Sequence, residues 1–219
     1  SEKSEHVRGL GGTALERHSH PHDEPDFQKP SDEEVAGLVA RNGVRQYDRM
    51  KEIILQFLTS GERFRLKPHI IKEFHRIAVE GIEPDAGRIR PAGTGIRGSR
   101  HEPPPSEDVE RYIDELCDYV NEHWEDEGEH VATHLSAYVM WRLNWIHPFR
   151  DGNGRTSRAV SYLVLCLRLG GYLPGRVAIP ALIEADRDPY YEALDAADAA
   201  WRRNKLDLRV MEEYIENLA

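Results

Sequence analysis

The chain has 219 residues, which is enough for one domain with a substantial hydrophobic core. Acidic residues outnumber basic residues by 39 to 29, and the net charge of −10 argues against a nucleic-acid-binding protein. A site for an anionic ligand would therefore need its own local cluster of basic side chains.

The N-terminal sequence is polar and charged, and it lacks the apolar core of a signal peptide. The most apolar stretch, residues 159–173, is shorter than a membrane span and contains Arg168. Cys117 and Cys166 fall in apolar helical stretches and are predicted to be buried free thiols, although the sequence also permits a disulfide. We therefore expect a soluble cytoplasmic protein with no membrane partner.

Residues 1–30 are predicted to be a flexible extension, and residues 31–219 a single domain. The extension contains glycines, prolines and histidines but no apolar periodicity. His18, His20 and His22 can bind a metal, which would make this segment an interaction module. A solvated tail is the favoured interpretation.

Helical signals begin at Ser31, which is placed to form a capping box with Glu34. Gly43 is expected to interrupt this first helical region. Apolar residues then recur at helical spacing in three segments. They are Tyr47, Met50, Ile54, Phe57 and Leu58, then Ile70, Ile71, Phe74 and Ile77, and after Ser106 Val109, Tyr112, Ile113, Leu116 and Val120.

Residues 87–105 break the helical pattern. They are rich in glycine and proline, a composition that predicts turns and a short β-hairpin.

Two helices in the second half of the chain are apolar on nearly every face, which is typical of buried helices. They are centred on residues 135–146 and 160–167. Asp188 and Pro189 supply an N-cap and a proline at the first helical position of a further helix, and Asp207 begins the last one. The whole pattern predicts an all-α fold.

The most specific stretch is His147-Pro-Phe-Arg-Asp-Gly-Asn-Gly-Arg-Thr-Ser-Arg158, between the two core helices. Gly152 and Gly154 allow consecutive backbone N–H groups to turn toward one point, which is how a loop at a helix N-terminus binds phosphate. Arg155 and Arg158 lie one helical turn apart, and their planar guanidinium groups suit phosphate oxygens.

Other residues in this stretch add chemistry. Asp151 is a hard oxygen ligand for Mg²⁺, or a cap for the helix that begins near Asn153. His147 is the side chain best suited to take a proton near neutral pH, with a core histidine as the alternative. Arg142 and Arg150 can add local positive charge but are expected to be solvated. The stretch predicts a nucleotide-phosphate site with a general base.

The same stretch resembles the signature of the Fic family, His-x-Phe-x-(Asp/Glu)-Gly-Asn-Gly-Arg-x-x-Arg, at every specified position. Residues 87–90 and 101–104 are similar to the ends of the family's flap, a β-hairpin whose strand edge holds a target segment by main-chain hydrogen bonds. The resemblance covers roughly residues 45–200. It implies a Fic-type helical bundle and a protein adenylyltransferase, which moves AMP from ATP to a Ser, Thr or Tyr hydroxyl of a target protein.

This resemblance also implies roles for single residues, with His147 as the general base and Asp151 as the Mg²⁺ ligand. The expected ATP phosphate contacts are Gly152, Asn153, Gly154, Arg155 and Arg158, with the Asn153 side chain near the α-phosphate. Tyr190 and Tyr191 are candidates for the adenine pocket, or else core aromatics. The expected docking edge of the flap is Thr94, Gly95, Ile96, Arg97 and Gly98.

Regulation is left open by the sequence. The family's inhibitory helix has the pattern (Ser/Thr)-x-x-x-Glu-(Gly/Asn), whose glutamate pairs with the second signature arginine, and this chain has no complete match. The alternatives are an unregulated enzyme, inhibition by a separate antitoxin-like protein, and a divergent internal inhibitor.

The reaction also has alternatives. One is removal of AMP from a modified target, and another is a nucleotide-responsive regulator with little turnover. A Doc-like kinase is less favoured, because that branch departs from the Gly-Asn-Gly-Arg that this chain keeps. The sequence carries no signal for the target or for the oligomeric state.

Overall fold

The computed structural model of the protein describes residues 27–92, 101–173 and 178–219. Within these ranges the chain forms eight α-helices and one short 3-10 helix, and it contains no β-strand, so the all-α prediction is confirmed. The helices are α1 (Asp32–Ser60), α2 (Pro68–Val79), α3 (Val109–Glu122), α4 (Val131–Ile146), α5 (Asn153–Leu169), α6 (Ile179–Ala185), α7 (Asp188–Trp201) and α8 (Arg209–Leu218), with the 3-10 turn Ser106–Asp108 before α3.

Helix α1 begins with the predicted capping box, in which the Glu34 N–H donates to Ser31 Oγ (3.3 Å) and the Ser31 N–H donates to Glu34 Oε2 (2.8 Å). The predicted interruption at Gly43 is wrong, because α1 continues to Ser60. The neighbouring side chain of Gln46 donates to the Phe74 carbonyl of α2 (2.8 Å). Contact with α2 outweighs the glycine penalty of about 1 kcal/mol.

Helices α4 and α5 form the centre of the core and contact each other more extensively than any other pair. Both are buried on nearly all faces, as predicted. Two buried serines link the helices: Ser161 Oγ donates to the Ser136 carbonyl (2.8 Å) and Ser136 Oγ to the Ser161 carbonyl (3.1 Å). The turn that joins α4 and α5 is therefore held between two buried, closely packed helices.

The C-terminal helices differ in detail from the prediction. Helix α6 was not predicted, because seven residues are too few for a clear apolar period. Asp188 is the first residue of α7 rather than its cap, and Arg187 occupies the N-cap. Asp207 precedes α8 and accepts a hydrogen bond from the Arg209 N–H (3.3 Å).

In the described part of the chain, no helix is long and apolar enough to cross a membrane. Cys117 and Cys166 are buried free thiols, as expected. His18, His20 and His22 lie outside the described residues.

Candidate active site

His147 ends helix α4 and begins the turn that leads into α5. Its backbone is left-handed, with φ 49° and ψ 59°, and its N–H donates to the Leu143 carbonyl (3.0 Å). A left-handed conformation costs roughly 1–2 kcal/mol for a residue with a Cβ, so the surrounding structure must hold it. This strained turn places the predicted base at the mouth of the loop.

The imidazole of His147 is mostly buried, and burial lowers its pKa from 6.5 to about 4. The positive charges of Arg90 and His101 lower the pKa further, while Asp151 and a hydrogen bond to the Asn144 backbone oppose them. His147 is therefore neutral at physiological pH, which is the form that accepts a proton.

The loop from Phe149 to Asn153 is closed by one side chain. Asn153 Oδ1 accepts from the Phe149 N–H (2.9 Å), and Asn153 Nδ2 donates to the Phe149 carbonyl (2.8 Å). Both ends of the buried amide are thus used to shape the loop. The expected contact of this side chain with the α-phosphate stays a prediction.

The loop also requires glycine at position 152, the N-cap of α5. Its φ is 75°, and a Cβ there would lie 2.6 Å from Cγ1 of Val79. A side chain at this position would meet both a strained backbone and a direct clash. Helix α5 starts at this close-packed glycine without a side-chain cap, and the first N–H groups of a helix have no acceptor within it, an arrangement that suits an anion.

His75 of α2 packs against the loop and holds it by a hydrogen bond. The sequence did not reveal this role. Its Nδ1 accepts from the Gly87 N–H (2.8 Å), so Nε2 carries the proton and donates to the Asp151 carbonyl (2.9 Å). The ring stacks on Phe149, with 3.7 Å between centroids and 7° between planes. Burial lowers the pKa of His75 to about 4, which keeps this tautomer neutral.

Arg155 and Arg158 both lie on α5, and each is already engaged. Arg155 donates to the Ala78 carbonyl (2.8 Å) and to Asp151 Oδ2 (2.9 Å). Arg158 is buried and forms an ion pair with Glu184 of α6, a carboxylate that also pairs with Arg187. Burial lowers the pKa of both arginines, although each remains charged at neutral pH.

Asp151 presents an accessible carboxylate at the loop, with 54% of its side chain exposed. It does not cap α5, whose start has no side-chain cap. No group of three or more potential metal ligands occurs among the described residues. A single carboxylate still fits Mg²⁺, because this ion is commonly held by one or two carboxylates together with substrate phosphates.

The two adjacent tyrosines have different surroundings. Tyr190 is 1% exposed, and its hydroxyl contacts Asn144 Nδ2 (2.8 Å) within the core. Tyr191 is 49% exposed. Of this pair, Tyr191 is the one that a nucleotide base can reach directly, while Tyr190 lies beside the Arg158 guanidinium, 5.9 Å from the ring centroid.

The predicted docking edge of the flap, residues 94–98, lies outside the described residues. The chain on either side, residues 87–92 and 101–105, forms turns and irregular backbone without a strand. The hairpin itself stays a prediction.

Arg142 and Arg150 were both expected to be solvated. Arg150 is exposed, as expected. The expectation for Arg142 is wrong, because only 4% of its surface is exposed to solvent. The Arg142 guanidinium lies 4.3 Å from the ring centroid of Trp145 and 4.9 Å from that of Trp201. The sequence could not show that four aromatic rings from three helices enclose it; they are Tyr112, Trp141, Trp145 and Trp201.

The sequence signal for the missed residues was weak. His75 is one histidine on an amphipathic helix, and Glu184 is one glutamate in a short apolar segment. Arg90 belongs to the Gly-x-x-Arg pattern at the flap, which gave it no role of its own. Only the tertiary structure brings these three side chains to the loop.

Comparison with known proteins gives a consistent result. The model described as "Fic/DOC family" matches residues 65–165. The chain is 34% identical over 131 residues to protein adenylyltransferase Fic of Nematostella vectensis, in an alignment that covers 58% of this chain and 28% of the relative. It is 30% identical over 161 residues to protein adenylyltransferase fic-1 of Caenorhabditis elegans, covering 72% of this chain and 28% of the relative. The chain therefore spans just over a quarter of the length of these relatives.

The fold is also similar to a solved structure, that of a Fic domain containing signaling protein from Bacteroides thetaiotaomicron. The TM-score is 0.62 at 20% identity, and the match covers 82% of this chain and 69% of that one. At this identity, the likeness concerns the fold alone.

Proposed function

Residues 65–165 of this chain are a domain of the Fic/DOC family, and from that premise we propose that the protein transfers AMP from ATP to a Ser, Thr or Tyr hydroxyl of a target protein. The observation that carries the proposal is the turn between α4 and α5. There a neutral, mostly buried His147 lies six residues before a helix that begins after Gly152 and carries two arginines on its first two turns. The names of the adenylyltransferase relatives support the reaction class.

The polyphosphate of ATP is expected at the start of α5. The free N–H groups of the first turn and the helix dipole favour negative charge there. Arg155 and Arg158 supply fixed positive charge in a partly water-excluded site, where electrostatic interactions are stronger than in water. These groups hold the α-phosphate in place and stabilise the charge that develops on transfer.

His147 then acts as the base. It takes the proton from the target hydroxyl, the hydroxyl oxygen forms a bond to the α-phosphorus, and the bond from that phosphorus to the pyrophosphate oxygen breaks. Pyrophosphate leaves with the electron pair, and AMP stays on the target. Positioning and electrostatics provide most of the rate increase in phosphate-transfer reactions of this kind.

Asp151 is the residue that would hold Mg²⁺ with the ATP phosphates. The ion would offset phosphate charge when bound. The target is expected to dock along residues 94–98 of the flap, and the adenine against Tyr191. These assignments, the single domain at 31–219 and a cytoplasmic location are parts of the same proposal.

The reaction is tested by incubating the protein with a cell lysate and ATP labelled at either the α- or the γ-phosphate. We expect α-label and an increase in mass by one AMP on target proteins. Transfer of the γ-label instead would identify a kinase. Loss of AMP from a previously modified protein would identify the reverse reaction, and nucleotide binding without transfer would identify a regulator.

Glu184 gives the divergent internal inhibitor a concrete candidate. Its carboxylate occupies Arg158, one of the two arginines that ATP would need, and it is also held by Arg187. ATP must therefore replace a carboxylate that is already in place. This arrangement favours internal restraint over a separate antitoxin-like protein.

We expect Glu184→Ala to raise the rate of AMP transfer several-fold and to lower the apparent KM for ATP, because one competing charge on Arg158 is removed. Self-modification with α-labelled ATP measures both. Glu33→Ala, which removes an exposed glutamate at the start of α1, is the control. A lower rate in Glu184→Ala would show instead that Glu184 orients Arg158 for catalysis.

A further inference from the structure

The segment between α2 and α3 contains the predicted flap, and on both sides of that flap it contacts the end of α4 or the turn that follows it. Before the flap, the Arg90 N–H donates to the Pro148 carbonyl (2.9 Å). After the flap, a ring nitrogen of His101 contacts the Trp145 carbonyl (2.7 Å). Both ends of the predicted flap are therefore attached to the end of α4 and the turn that follows it.

The side chain of Arg90 joins these attachments. It is 4% exposed, and its Nε donates to the His147 carbonyl (2.6 Å). Its Nη2 donates to the Pro104 carbonyl and, at 3.4 Å, to the Ile146 carbonyl. Among the described residues, the hydrogen-bond partners of this guanidinium are main-chain carbonyls.

This pattern differs from that of an arginine that only neutralises a carboxylate. A buried charge is costly unless its donors find partners, and here Nε and Nη2 donate to backbone groups from two separate segments. One segment is the turn whose strained residue is His147, with φ 49°. The other is residue 104, where the flap returns. Loss of the guanidinium would remove the one side chain that bonds to both segments, and leave the main-chain bond of Arg90 to Pro148 and the His101 contact with Trp145.

We propose that Arg90 is a positioning residue, which fixes the strained backbone of His147 and both ends of the flap as one unit. The base and the two ends of the flap at residues 90 and 104 are then set relative to each other before substrate binds, as preorganised catalysis requires. This inference rests on the proposed function, and it adds a residue that touches neither ATP nor the hydroxyl.

The positive charge of Arg90 also affects the protonation of His147, separately from the hydrogen bonds of its side chain. The positive charge of Arg90 is, after burial, the next cause of the lowered pKa of His147. The other groups that act on His147 are His101, Asp151 and the Asn144 backbone. Arg90→Lys keeps the positive charge but loses the planar guanidinium and its fixed hydrogen-bond geometry. It therefore separates the positioning of the backbone from the effect of charge on His147.

The test uses Arg90→Lys and Arg90→Met in the full chain, with Arg142→Met as the matched control. Arg142 is also 4% exposed, but it lies among aromatic rings. In self-modification with α-labelled ATP, we expect both Arg90 variants to lower the rate at saturating ATP by about 10- to 100-fold. The apparent KM for ATP should change less than about threefold, because Arg90 contacts no predicted phosphate-binding residue. Arg142→Met should lower the unfolding midpoint but keep the rate.

A titration of the histidine side chains by NMR, with His147→Ala to assign the signal, provides a readout that needs no activity. Arg90→Met should raise the pKa of His147 toward 6.5, whereas Arg90→Lys and Arg142→Met should not. The positioning role is overturned if an Arg90 variant as stable as Arg142→Met transfers AMP at the wild-type rate. If the wild type transfers no AMP, the proposed function fails. The positioning role is then overturned if the ring signals of His147 in Arg90→Lys stay at their wild-type chemical shifts, while the titration reports the charge contribution.

Discussion

Helix α4 is capped by a histidine at each end, and the two ends are opposite in character. His130 at the N-cap is exposed, and its Nδ1 lies 2.9 Å from Glu216 Oε1 of α8. The hydrogen bond to Glu216 raises its pKa. His147 at the C-cap is mostly buried, and burial lowers its pKa to about 4. The same residue type is thus an ion-pair partner at one end and a neutral, mostly buried imidazole at the other.

The helix dipole would predict the reverse. A histidine at a helix C-terminus is stabilised in its charged form, while one at the N-terminus is destabilised, typically by 0.3–1 kcal/mol at the surface. At His130 the hydrogen bond and charge of Glu216, with smaller contributions from Glu129 and Glu212, outweigh the dipole. Burial and the charge of Arg90 outweigh it at His147. Tertiary surroundings, rather than position on the helix, set the chemistry of each histidine.

The largest expected effect comes from removing each histidine in turn. His147→Ala should lower AMP transfer by about 10²- to 10⁴-fold, the usual contribution of a general base. His130→Ala should leave transfer unchanged, because its ion pair lies at the opposite end of α4. Label transfer from α-labelled ATP measures both, and circular dichroism verifies that both variants are folded. Unchanged transfer in His147→Ala would remove the base assignment, and a loss in His130→Ala would break the contrast between the two ends.

A smaller effect is expected in the pH dependence of stability. Because the pKa of His147 is lowered in the folded protein, the unfolded chain takes up a proton that the folded chain refuses between pH 6.5 and about 4. Stability should therefore fall as the pH falls through this window. A shift from 6.5 to about 4 corresponds to about 3 kcal/mol by pH 4, and His75 should add a loss of the same sign.

His130 should act in the opposite direction, because its raised pKa adds stability below pH 6.5 that is lost as the pH rises through the folded value. Denaturant unfolding of wild type, His147→Ala and His130→Ala at several pH values separates these contributions. His147→Ala should lose less stability than the wild type between pH 6.5 and 4. Equal losses in the two proteins would show that His147 is not held neutral by the fold. The pKa is lowered in His147 and His75. The charged and titratable groups that act on these two histidines are Arg90, His101, Asp151, Arg155 and Arg76.

Much of the site was predictable because its signals are local. Residues 147–158 carry their own turn chemistry: Gly152 must adopt a positive φ and has no room for a Cβ, and Asn153 closes the loop through the residue four positions earlier. The capping box at Ser31 and the apolar stretches of α4 and α5 are likewise properties of neighbouring residues. In each of these cases the sequence pattern predicted the element.

Gly43 shows where local reasoning fails. Its low helix propensity predicted a break, but the contacts of α1 with α2 keep the helix continuous. Arg142 shows the same failure for charge, because an arginine is normally solvated and only the packing of α3, α4 and α7 encloses this one in aromatic rings. Propensity and charge are averages that a specific tertiary environment can override.

The sequence by itself determined the helical class and the course of the turn at 147–158, and it predicted a phosphate site and a base there, because each depends on residues within one or two helical turns. The tertiary structure alone decided how that turn is held. Arg90 reaches the His147 carbonyl across 57 positions, His75 reaches the Asp151 carbonyl across 76, and Glu184 reaches Arg158 across 26. Such contacts leave no periodic trace in the sequence, since they arise only when separate helices bring single side chains together, and they set the protonation state and the geometry of the site.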